Sequence, residues 1–528
     1  MKTMLRIFTL LLAIAVAAFG QTTGAITGTV KDASGAVVVG AHVTAQNKAG
    51  GDRRETKTGG AGTYAFPFLV PGEYEIEVAN TGFSTVVQKA TLGVTERIAI
   101  DAVLQPSGAA ERIEVSDSAA PLLQTESSAT GRVVEGTAIR QLPLSSRNFT
   151  QLLSLSTGTS AALNDAGALG RGTQLISSSG ARTTSNAITI DGVDAMNIHT
   201  NSASDNGVGS NGILTPSPEA IAEFKVQTSL YDAQSGRSGG ANIVLVTRSG
   251  SNQFHGSAFE FFRNRDLNAN SFFFNSTGAL RPELNQNQYG GVLGGPVRRD
   301  KTFFFLSYQG TRQINGLSGS SSLRLPAIPL DRSAASIGKA FAGQNGTHGG
   351  VAVAADGSNI NPVALALLNS KLPDGSYVIP SPQTASSGVN YAVSQPAIFN
   401  EDQGVVNIDH QLSDKDRLAF RGMIAAQPTY KPFGAANVPG FGSTQDFRSR
   451  LANLTDTHIF SGTLVNEARF GVSRVLGTVI PQSVISLQSI GMNRFNSADY
   501  SDIPSIAVSG AFTIGYDVNG DQGVTPTT

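Results

Sequence analysis

The stretch QGVVNIDHQLSDKDRLAFRGMIAAQ, residues 403–427, decides the fold because apolar and polar side chains alternate through both of its halves. In the first half the two faces of the alternation are Val406, Ile408 and Leu412 against Asn407, Asp409 and Gln411. In the second half they are Leu418, Phe420 and Ile424 against Arg417 and Arg421. A period of two is typical of a β-strand with one apolar face. The stretch therefore predicts two antiparallel strands joined by a short turn at residues 413–416.

Outward from this hairpin, the same alternation predicts seven strands, at residues 253–264, 286–297, 302–312, 403–412, 417–427, 448–460 and 465–477. Short turns alternate with long loops, which lie near residues 265–285, 313–402 and 428–447. Transmembrane β-barrels have strands of about 10 residues joined by short turns on one side and long loops on the other. A soluble sandwich would also alternate, but it would not pair turns and loops so regularly. Residues 251–528 are therefore predicted to be the first part of a transmembrane antiparallel β-barrel.

Seven strands do not close such a barrel, because single-chain bacterial barrels have an even number of strands and those with a plugged lumen have about 22. The chain also ends at Pro526, Thr527 and Thr528, in a stretch with the composition of an outer loop. It lacks the terminal aromatic strand usual in such barrels. We therefore expect an incomplete barrel, from a fragment or a prematurely ended gene product.

The segment before the barrel, residues 119–250, is rich in glycine and small polar residues with short mixed helix and strand signals, which predicts a small α+β domain. Asn148 is expected to cap one short helix. Ser217 and Pro218 are expected to be the N-cap and first residue of another. A strand is predicted at residues 241–246, after a glycine-rich turn.

The segment at residues 22–106 alternates with period two between turn residues, which predicts a small antiparallel β-sandwich. Its aromatic residues Tyr64, Phe66 and Tyr74 are predicted to lie in the core. Residues 1–20 have two cationic residues followed by an apolar run and small residues, as in a secretory signal peptide cleaved before Gln21. A membrane anchor would need a longer apolar run, of about 20 residues.

The amino-acid composition argues against several classes of function for this protein. Lys and Arg number 38 against 39 Asp and Glu, so the net charge of −1 offers no general field that would gather nucleic acid. No nucleic-acid partner is expected. The chain contains 0 cysteines, which excludes disulfides, zinc–thiolate sites, iron–sulfur clusters and cysteine nucleophiles.

Three sets of residues resemble known families. The turns and strands of residues 22–106 resemble the carboxypeptidase regulatory-like domain, a sandwich of the transthyretin or carbohydrate-binding-like type. The motifs Ile190-Asp191-Gly192-Val193, Pro218-Glu219-Ala220-Ile221, Glu223-Phe224 and Gly236-Arg237-Ser238-Gly239-Gly240 resemble the plug of TonB-dependent outer-membrane receptors of the Oar-like branch. Four further motifs resemble the segment with which the barrel begins in the same family. They are Phe254-His255-Gly256, Phe261-Phe262-Arg263-Asn264, Asn287-Gln288-Tyr289-Gly290-Gly291 and Lys301-Thr302-Phe303-Phe304-Phe305.

The resemblance implies TonB-coupled, energy-dependent uptake of a scarce solute such as an oligosaccharide or a metal chelate. Its partners would be TonB with its inner-membrane energising complex, outer-membrane lipid and the solute. The protein would lie in the outer membrane, with the N-terminal domain in the periplasm. The alternative is a surface binding, adhesion or secretion-related protein, which uses the barrel as an anchor and the sandwich as a carbohydrate- or partner-binding module.

The coupling segment of this family, the TonB box, is an extended strand that adds to a sheet edge of its partner. In the linker at residues 107–118, the run Glu111, Arg112, Ile113, Glu114 and Val115 fits such a box. The same run is also compatible with a last strand of the preceding sandwich.

Catalytic and metal-binding patterns are weak, and neither an enzyme nor a cofactor is expected. Residues 236–240 match a Gly-x-Ser-x-Gly nucleophile elbow, but a strand rather than a helix is predicted to follow. The six histidines have no metal-ligand spacing. The stretch 517–528 resembles a calcium loop without its glycine and final glutamate. Asp191, Asp194 and Asp205 could face a ligand, although solvated turn carboxylates are the favoured interpretation.

Overall fold

The computed structural model describes residues 22–49, 52–107, 112–115, 128–144, 146–161, 169–170, 176–196, 214–231, 235, 239–345, 350–433, 436–461, 464–492 and 501–515. The predicted signal peptide lies outside these described residues.

The N-terminal domain is a β-sandwich, and its strands are β1 Gly24–Asp32, β2 His42–Asn47, β3 Arg53–Lys57, β4 Thr63–Leu69, β5 Gly72–Ala79, β6 Thr85–Leu92, β7 Arg97–Ala99, β8 Ala102–Leu104 and β9 Arg112–Val115. One sheet has the order β4-β1-β7, with β8 also on β1, and the other has the order β3-β2-β5-β6-β9. Tyr64, Phe66 and Tyr74 are buried in the core, as predicted. The pairings of β1 with β7 and β8, and of β6 with β9, are parallel rather than antiparallel, because period-two alternation carries no information on strand direction.

The plug domain is built from β10 Thr130–Glu135, α1 Gly136–Gln141, β11 Thr159–Ala161, β12 Ile176–Ser178, β13 Ala187–Ile190, β14 Val193–Asp194, β15 Ile221–Ser229 and β16 Asn242–Thr247. Short 3₁₀ helices cover Phe149–Leu155, Thr183–Ser185 and Pro218–Ala220. Its main sheet has the order β10-β15-β16-β13-β14, in which β13 and β16 are parallel and the other pairings are antiparallel. The predicted small α+β domain is confirmed.

The two predicted helix caps differ in outcome. Asn148 accepts a hydrogen bond from the backbone N–H of Thr150, as an N-cap should, although the helix that follows is 3₁₀. Ser217 occupies the predicted N-cap position of the second short helix, but its side chain makes no cap hydrogen bond. Its hydroxyl instead lies 3.3 Å from that of Ser307, on the wall of the barrel. Pro218 does occupy the first position of the short helix.

The remaining strands are β17 His255–Asn264, β18 Leu284–Arg298, β19 Thr302–Asn315, β20 Ser320–Leu323, β21 Tyr391–Ser394, β22 Ala397–Ser413, β23 Asp416–Lys431, β24 Ser443–Ser461, β25 Leu464–Pro481, β26 Ile506–Val508 and β27 Phe512–Ile514. Helices α2 Phe272–Thr277, α3 Ala334–Phe341 and α4 Pro362–Asn369, with 3₁₀ helices Arg265–Leu267 and Gln488–Ile490, lie in the connections.

Seven long strands form one antiparallel sheet in the order β17-β18-β19-β22-β23-β24-β25, which confirms the predicted set. Most of them run further than predicted on the side of the long loops. Val406 and Ile408 are exposed while Asn407 and Asp409 are buried, so the two faces are also as predicted. Among the described residues, β17 and β25 are not paired with each other, and the sheet is open.

A third hydrophobic core lies at the long-loop end of the sheet and forms what we call the outer cap, built from residues 316–345, 350–396, 436–441, 483–492 and 501–515. Its buried side chains include Leu323, Ile337, Val378, Phe441 and Ile485. The sequence pattern predicted only loops here, because the contributing segments are short and far apart in the chain.

No helix in the part of the chain that the structure describes is long and apolar enough to cross a lipid bilayer.

Candidate functional site

The buried face of the barrel sheet packs against the plug domain, and discrete hydrogen bonds join the two. Asn407 Nδ2 on β22 donates to Thr247 Oγ1 and to the backbone carbonyl oxygen of Arg248, both at 2.7 Å. Asn453 Nδ2 on β24 donates to the backbone carbonyl oxygen of Asp191, also at 2.7 Å. Neutral side-chain amides thus hold the end of the plug sheet against the wall.

Asp191 lies at the tight turn between β13 and β14 and has a positive φ of 49°. Its carboxylate accepts from the backbone N–H of Thr247 at 2.9 Å and from Thr247 Oγ1 at 2.7 Å. Burial raises the pKa of this carboxyl, and Arg421 and the bonds from Thr247 oppose that increase. The interpretation as a solvated turn carboxylate is therefore wrong for Asp191, which fastens β13 to β16.

Asp194 and Asp205 were predicted together with Asp191 to be solvated turn carboxylates. Asp194 is half-buried, and its Oδ1 accepts from the backbone N–H of Met196 at 2.8 Å. This is a local turn bond. Asp205 lies outside the described residues.

A buried ion pair within the plug connects it to the first barrel strand. The Arg147 guanidinium is bonded to the Glu219 carboxylate, and both side chains are more than nine-tenths buried. The same guanidinium lies over the rings of Phe259 and Phe261 on β17, at 4.7 and 3.9 Å from their centroids. Cation–π contacts of this kind strengthen when they are shielded from water. No spacing in the sequence pointed to this cluster.

The sandwich, plug and barrel meet around a cavity of about 640 Å³, lined by side chains from all three. On its barrel side, Asp409 accepts from Arg417 and Arg421, both at 2.8 Å. Asp52 contributes from the sandwich and Glu223 from the plug. The cavity therefore brings charged groups of three domains to the short-turn end of the barrel.

Glu223 on β15 is the most perturbed of these groups. Burial raises the pKa of its carboxyl to about 7, and the nearby Glu96 and Glu135 carboxylates add to the increase. A hydrogen bond from the backbone N–H of Val94 and the charge of Lys225 act in the opposite direction. Val94 and Glu96 belong to the sandwich, so the pKa of the Glu223 carboxyl depends on the contact between the sandwich and the plug.

The predicted TonB box lies partly within the described residues. Arg112–Val115 form β9, the edge strand of the second sandwich sheet, and Glu111 lies outside the described residues. β9 runs parallel to β6 with Ile113 opposite Val86. The backbone of residues 112–115 thus has the extended conformation that a TonB box needs. It also occupies the last strand of the sandwich, as the alternative interpretation of this run predicted.

The weaker chemical patterns are resolved by what surrounds them. The glycine-rich run at residues 236–240 is followed by strand β16 and not by a helix, as predicted, so it lacks the context of a nucleophile elbow. Within the described ranges, no three His, Asp or Glu side chains are grouped to hold a metal ion. The calcium-like stretch at residues 517–528 lies outside the described residues.

Comparison with known families gives two matches. The family described as "Outer membrane beta barrel domain" matches residues 246–528, which is more than half of the chain. The family described as "Carboxypeptidase regulatory-like domain" matches residues 25–105. These agree with the barrel and the sandwich seen in the structure.

One curated relative is the TonB-dependent transporter Oar of Myxococcus xanthus, which is 30% identical over 324 residues. The match covers 57% of this chain, and the chain spans 28% of the length of that relative. Among solved structures, the siderophore receptor PirA from Acinetobacter baumannii has 11% identity and a TM-score of 0.34, covering 66% of this chain and 44% of that one. The outer membrane transporter YddB from Escherichia coli has 12% identity and a TM-score of 0.38, with the same coverage of 66% and 44%.

Proposed function

We infer that this chain, which belongs to the outer membrane beta barrel domain family, is a receptor for TonB-coupled, energy-dependent uptake of a small solute across the outer membrane. The observation that carries the proposal is the fastening of a separate plug domain to the polar inner face of a barrel sheet. The fastening at the end of the plug sheet uses single hydrogen bonds from Asn407 and Asn453. Each such bond is worth about 1 kcal/mol net in water, so a mechanical pull can break them one after another.

The proposed coupling segment is the TonB box at Glu111, Arg112, Ile113, Glu114 and Val115. As the last strand of its sheet, β9 has one side paired with β6 and the other side unpaired among the described residues. Strand addition needs a row of free backbone N–H and C=O groups at such an edge. TonB can therefore add to β9 where it lies, or replace β6 as its partner. Being the last strand of the sandwich and being the TonB box are compatible roles.

For the solute, we propose a neutral polar molecule of the oligosaccharide class in preference to a charged metal chelate. Amides and hydroxyls dominate this part of the buried barrel wall, at Gln286, Gln309, Thr311, Gln313, Asn315 and Gln403. Gln286 Nε2 and Thr311 Oγ1 are buried without a hydrogen-bond partner in the described part of the chain. Sugar hydroxyls both donate to and accept from such groups.

The absence of cysteine from the chain allows a clean test of coupling. Ile113→Cys would be combined with single cysteines in the C-terminal domain of TonB, and disulfide-linked product would be measured in living cells. The matched control is Glu77→Cys, which is exposed on the interior strand β5 of the same sheet. We expect cross-linking at residue 113 well above that at residue 77, and a loss of the difference when a protonophore removes the proton gradient. Equal yields at the two positions would contradict the box and move the search towards Gln21.

A further inference from the structure

The outward face of the barrel sheet, opposite the plug, carries a shallow groove of about 870 Å³. Its floor lies where small residues face outward, at Gly291, Gly404, Gly422 and Ala452. Its walls are exposed apolar side chains, namely Leu293, Leu306, Val406, Phe420, Ile424 and Val472. In a membrane barrel this face contacts lipid, so the groove can seat a hydrocarbon chain.

Two arginines line the same groove. Arg450 on β24 and Arg474 on β25 are directly opposite each other and exposed. Neither guanidinium has an ion pair or hydrogen bond with another described residue. Like charges placed directly opposite on one face of a sheet repel each other. An unpaired cation on a lipid-facing surface is also costly unless it reaches the interface. A bound anion would therefore stabilise the pair of arginines.

Two neighbouring arginines that face outward already have a carboxylate partner. Arg312 is paired with Asp402 at 2.8 Å, and Arg448 is paired with Asp446 at 2.9 Å. Arg448 precedes Arg450 by two residues on β24 and faces the same way. The lack of a carboxylate partner thus distinguishes Arg450 and Arg474 from Arg312 and Arg448.

The height of the pair on the barrel fits a lipid headgroup. Arg450 is opposite Ile424, which is opposite Gly404, which in turn is opposite Tyr308. The Tyr308 hydroxyl donates to Asp402 at 2.6 Å. Tyrosines and charged pairs mark the membrane–water interface of barrels. On β24, Arg450 lies nearer to Ser443 at the long-loop end, which is the outer side, than to Ser461 at the short-turn end, and the exposed Leu454 lies below it on the same strand.

We propose that Arg450 and Arg474 bind the phosphate monoester of an acylated glycolipid of the outer leaflet, with an acyl chain lying in the groove. A phosphate monoester carries about two negative charges near neutral pH, which matches two guanidinium groups. A phosphodiester headgroup carries only one. Guanidinium forks also match phosphate oxygens in a bidentate geometry. This site is separate from the plug and from any solute path.

The test uses the full 528-residue chain in a neutral detergent, with retained lipid counted by native mass spectrometry. The probes are diphosphorylated lipid A, phosphatidylcholine of similar chain length and inorganic phosphate. We expect lipid A to be retained in preference to phosphatidylcholine, and Arg450→Gln with Arg474→Gln to weaken its retention about tenfold or more. The matched control, Arg448→Gln, should leave retention unchanged. Equal retention of the two lipids, or an unaffected double variant, would overturn the proposal.

Two further measurements separate the phosphate from the chain. Gly404→Leu should fill the groove, because there is room for a side chain at this position. The atom nearest to an added Cβ is in the Ile424 side chain, at 3.6 Å, which is an ordinary van der Waals contact. This variant should lower lipid A retention severalfold, and full retention would overturn the acyl seat. Millimolar inorganic phosphate should not displace lipid A, and displacement would show a site for free phosphate instead. In detergent without lipid A, the double variant should be at least as heat-stable as the original chain, because a repulsive pair is gone.

Discussion

The side-chain amide of Asn453 donates to the backbone carbonyl oxygen of Asp191 across 2.7 Å, and this bond links a barrel strand to the turn between β13 and β14 of the plug. Asp191 is held from its other side by two bonds from Thr247. Thr247 in turn accepts from Asn407 on the barrel wall. The plug is therefore fixed to two barrel strands through one short chain of polar contacts.

The first prediction concerns this bond. Asn453→Leu leaves the carbonyl oxygen of Asp191 buried without its donor, which costs about 1 to 3 kcal/mol. Hydrogen exchange of the backbone around residues 188–196 should become faster, because local opening no longer breaks that bond. Ser449→Ala is the control, since Ser449 is also buried on β24 and makes no hydrogen bond to the described part of the plug. Equal exchange in the two variants would show that the Asn453 bond does not hold the plug.

The second prediction concerns the buried pair of Arg147 and Glu219. Removing one partner leaves an uncompensated buried charge, so Arg147→Met should lower the free energy of unfolding by about 3 to 5 kcal/mol. Arg147→Met with Glu219→Gln should recover much of that loss, because no charge is then left unpaired. Urea denaturation of the four proteins of this double-mutant cycle measures the coupling. A double variant as unstable as the sum of the two singles would contradict a direct interaction.

The barrel could be predicted from sequence because its signal is local. Alternation along one strand depends only on which face meets lipid and which meets the plug, and seven strands showed it clearly. The register of the residue 403–427 hairpin follows in the same way, since a shift by one residue would turn Val406 and Ile408 inward.

Contacts between distant segments could not be predicted. Arg147 and Glu219 are separated by 72 residues, and neither lies in a pattern that distinguishes a buried charge from a solvated one. The outer cap joins residues as far apart as Leu323 and Ile514. The burial of Asp191 could not be predicted for a related reason, because a turn carboxylate is usually solvated and this one is bonded to Thr247, 56 residues away in the chain.

The third prediction is a pH dependence centred on Glu223. Its folded-state pKa of about 7 exceeds the ordinary 4.5, so the stability it contributes is fully present below pH 4.5 and is lost as pH rises through 7. The loss is on the order of 3 kcal/mol. Glu223→Gln should remove this pH dependence and make the contact between sandwich and plug more stable at pH 8. Thermal unfolding between pH 4.5 and 8 measures it.

A matched variant tests the physical cause of that shift. Glu135 is exposed, makes no side-chain cap hydrogen bond at the start of α1, and raises the pKa of Glu223 by its charge. Glu135→Gln should therefore move the midpoint of the transition to lower pH without removing the transition. A midpoint that stays in place would mean that the charge of Glu135 does not contribute to the raised pKa of Glu223.

The last prediction concerns Ile113 in β9. Ile113→Pro removes one backbone N–H and fixes φ, so it should weaken strand addition at this edge by any partner. Only four residues of β9 pair with β6, at the margin of the sandwich, so the core around Tyr64, Tyr74 and Ile76 should remain folded. In the cross-linking experiment, with the TonB contact now read from Glu114→Cys, the Pro variant should lose most of its linked product. Far-UV circular dichroism and melting of the sandwich should change little.

Ile113→Val is the control for that change, because it shortens the side chain and leaves the backbone N–H in place. The argument rests on backbone pairing, so the Val variant should cross-link like the original and only the Pro variant should fail. If both variants failed, the Ile113 side chain rather than the strand edge would carry the contact. If the Pro variant instead unfolded the sandwich, β9 would be an integral strand of that domain, and TonB would have to add to its free edge without replacing β6.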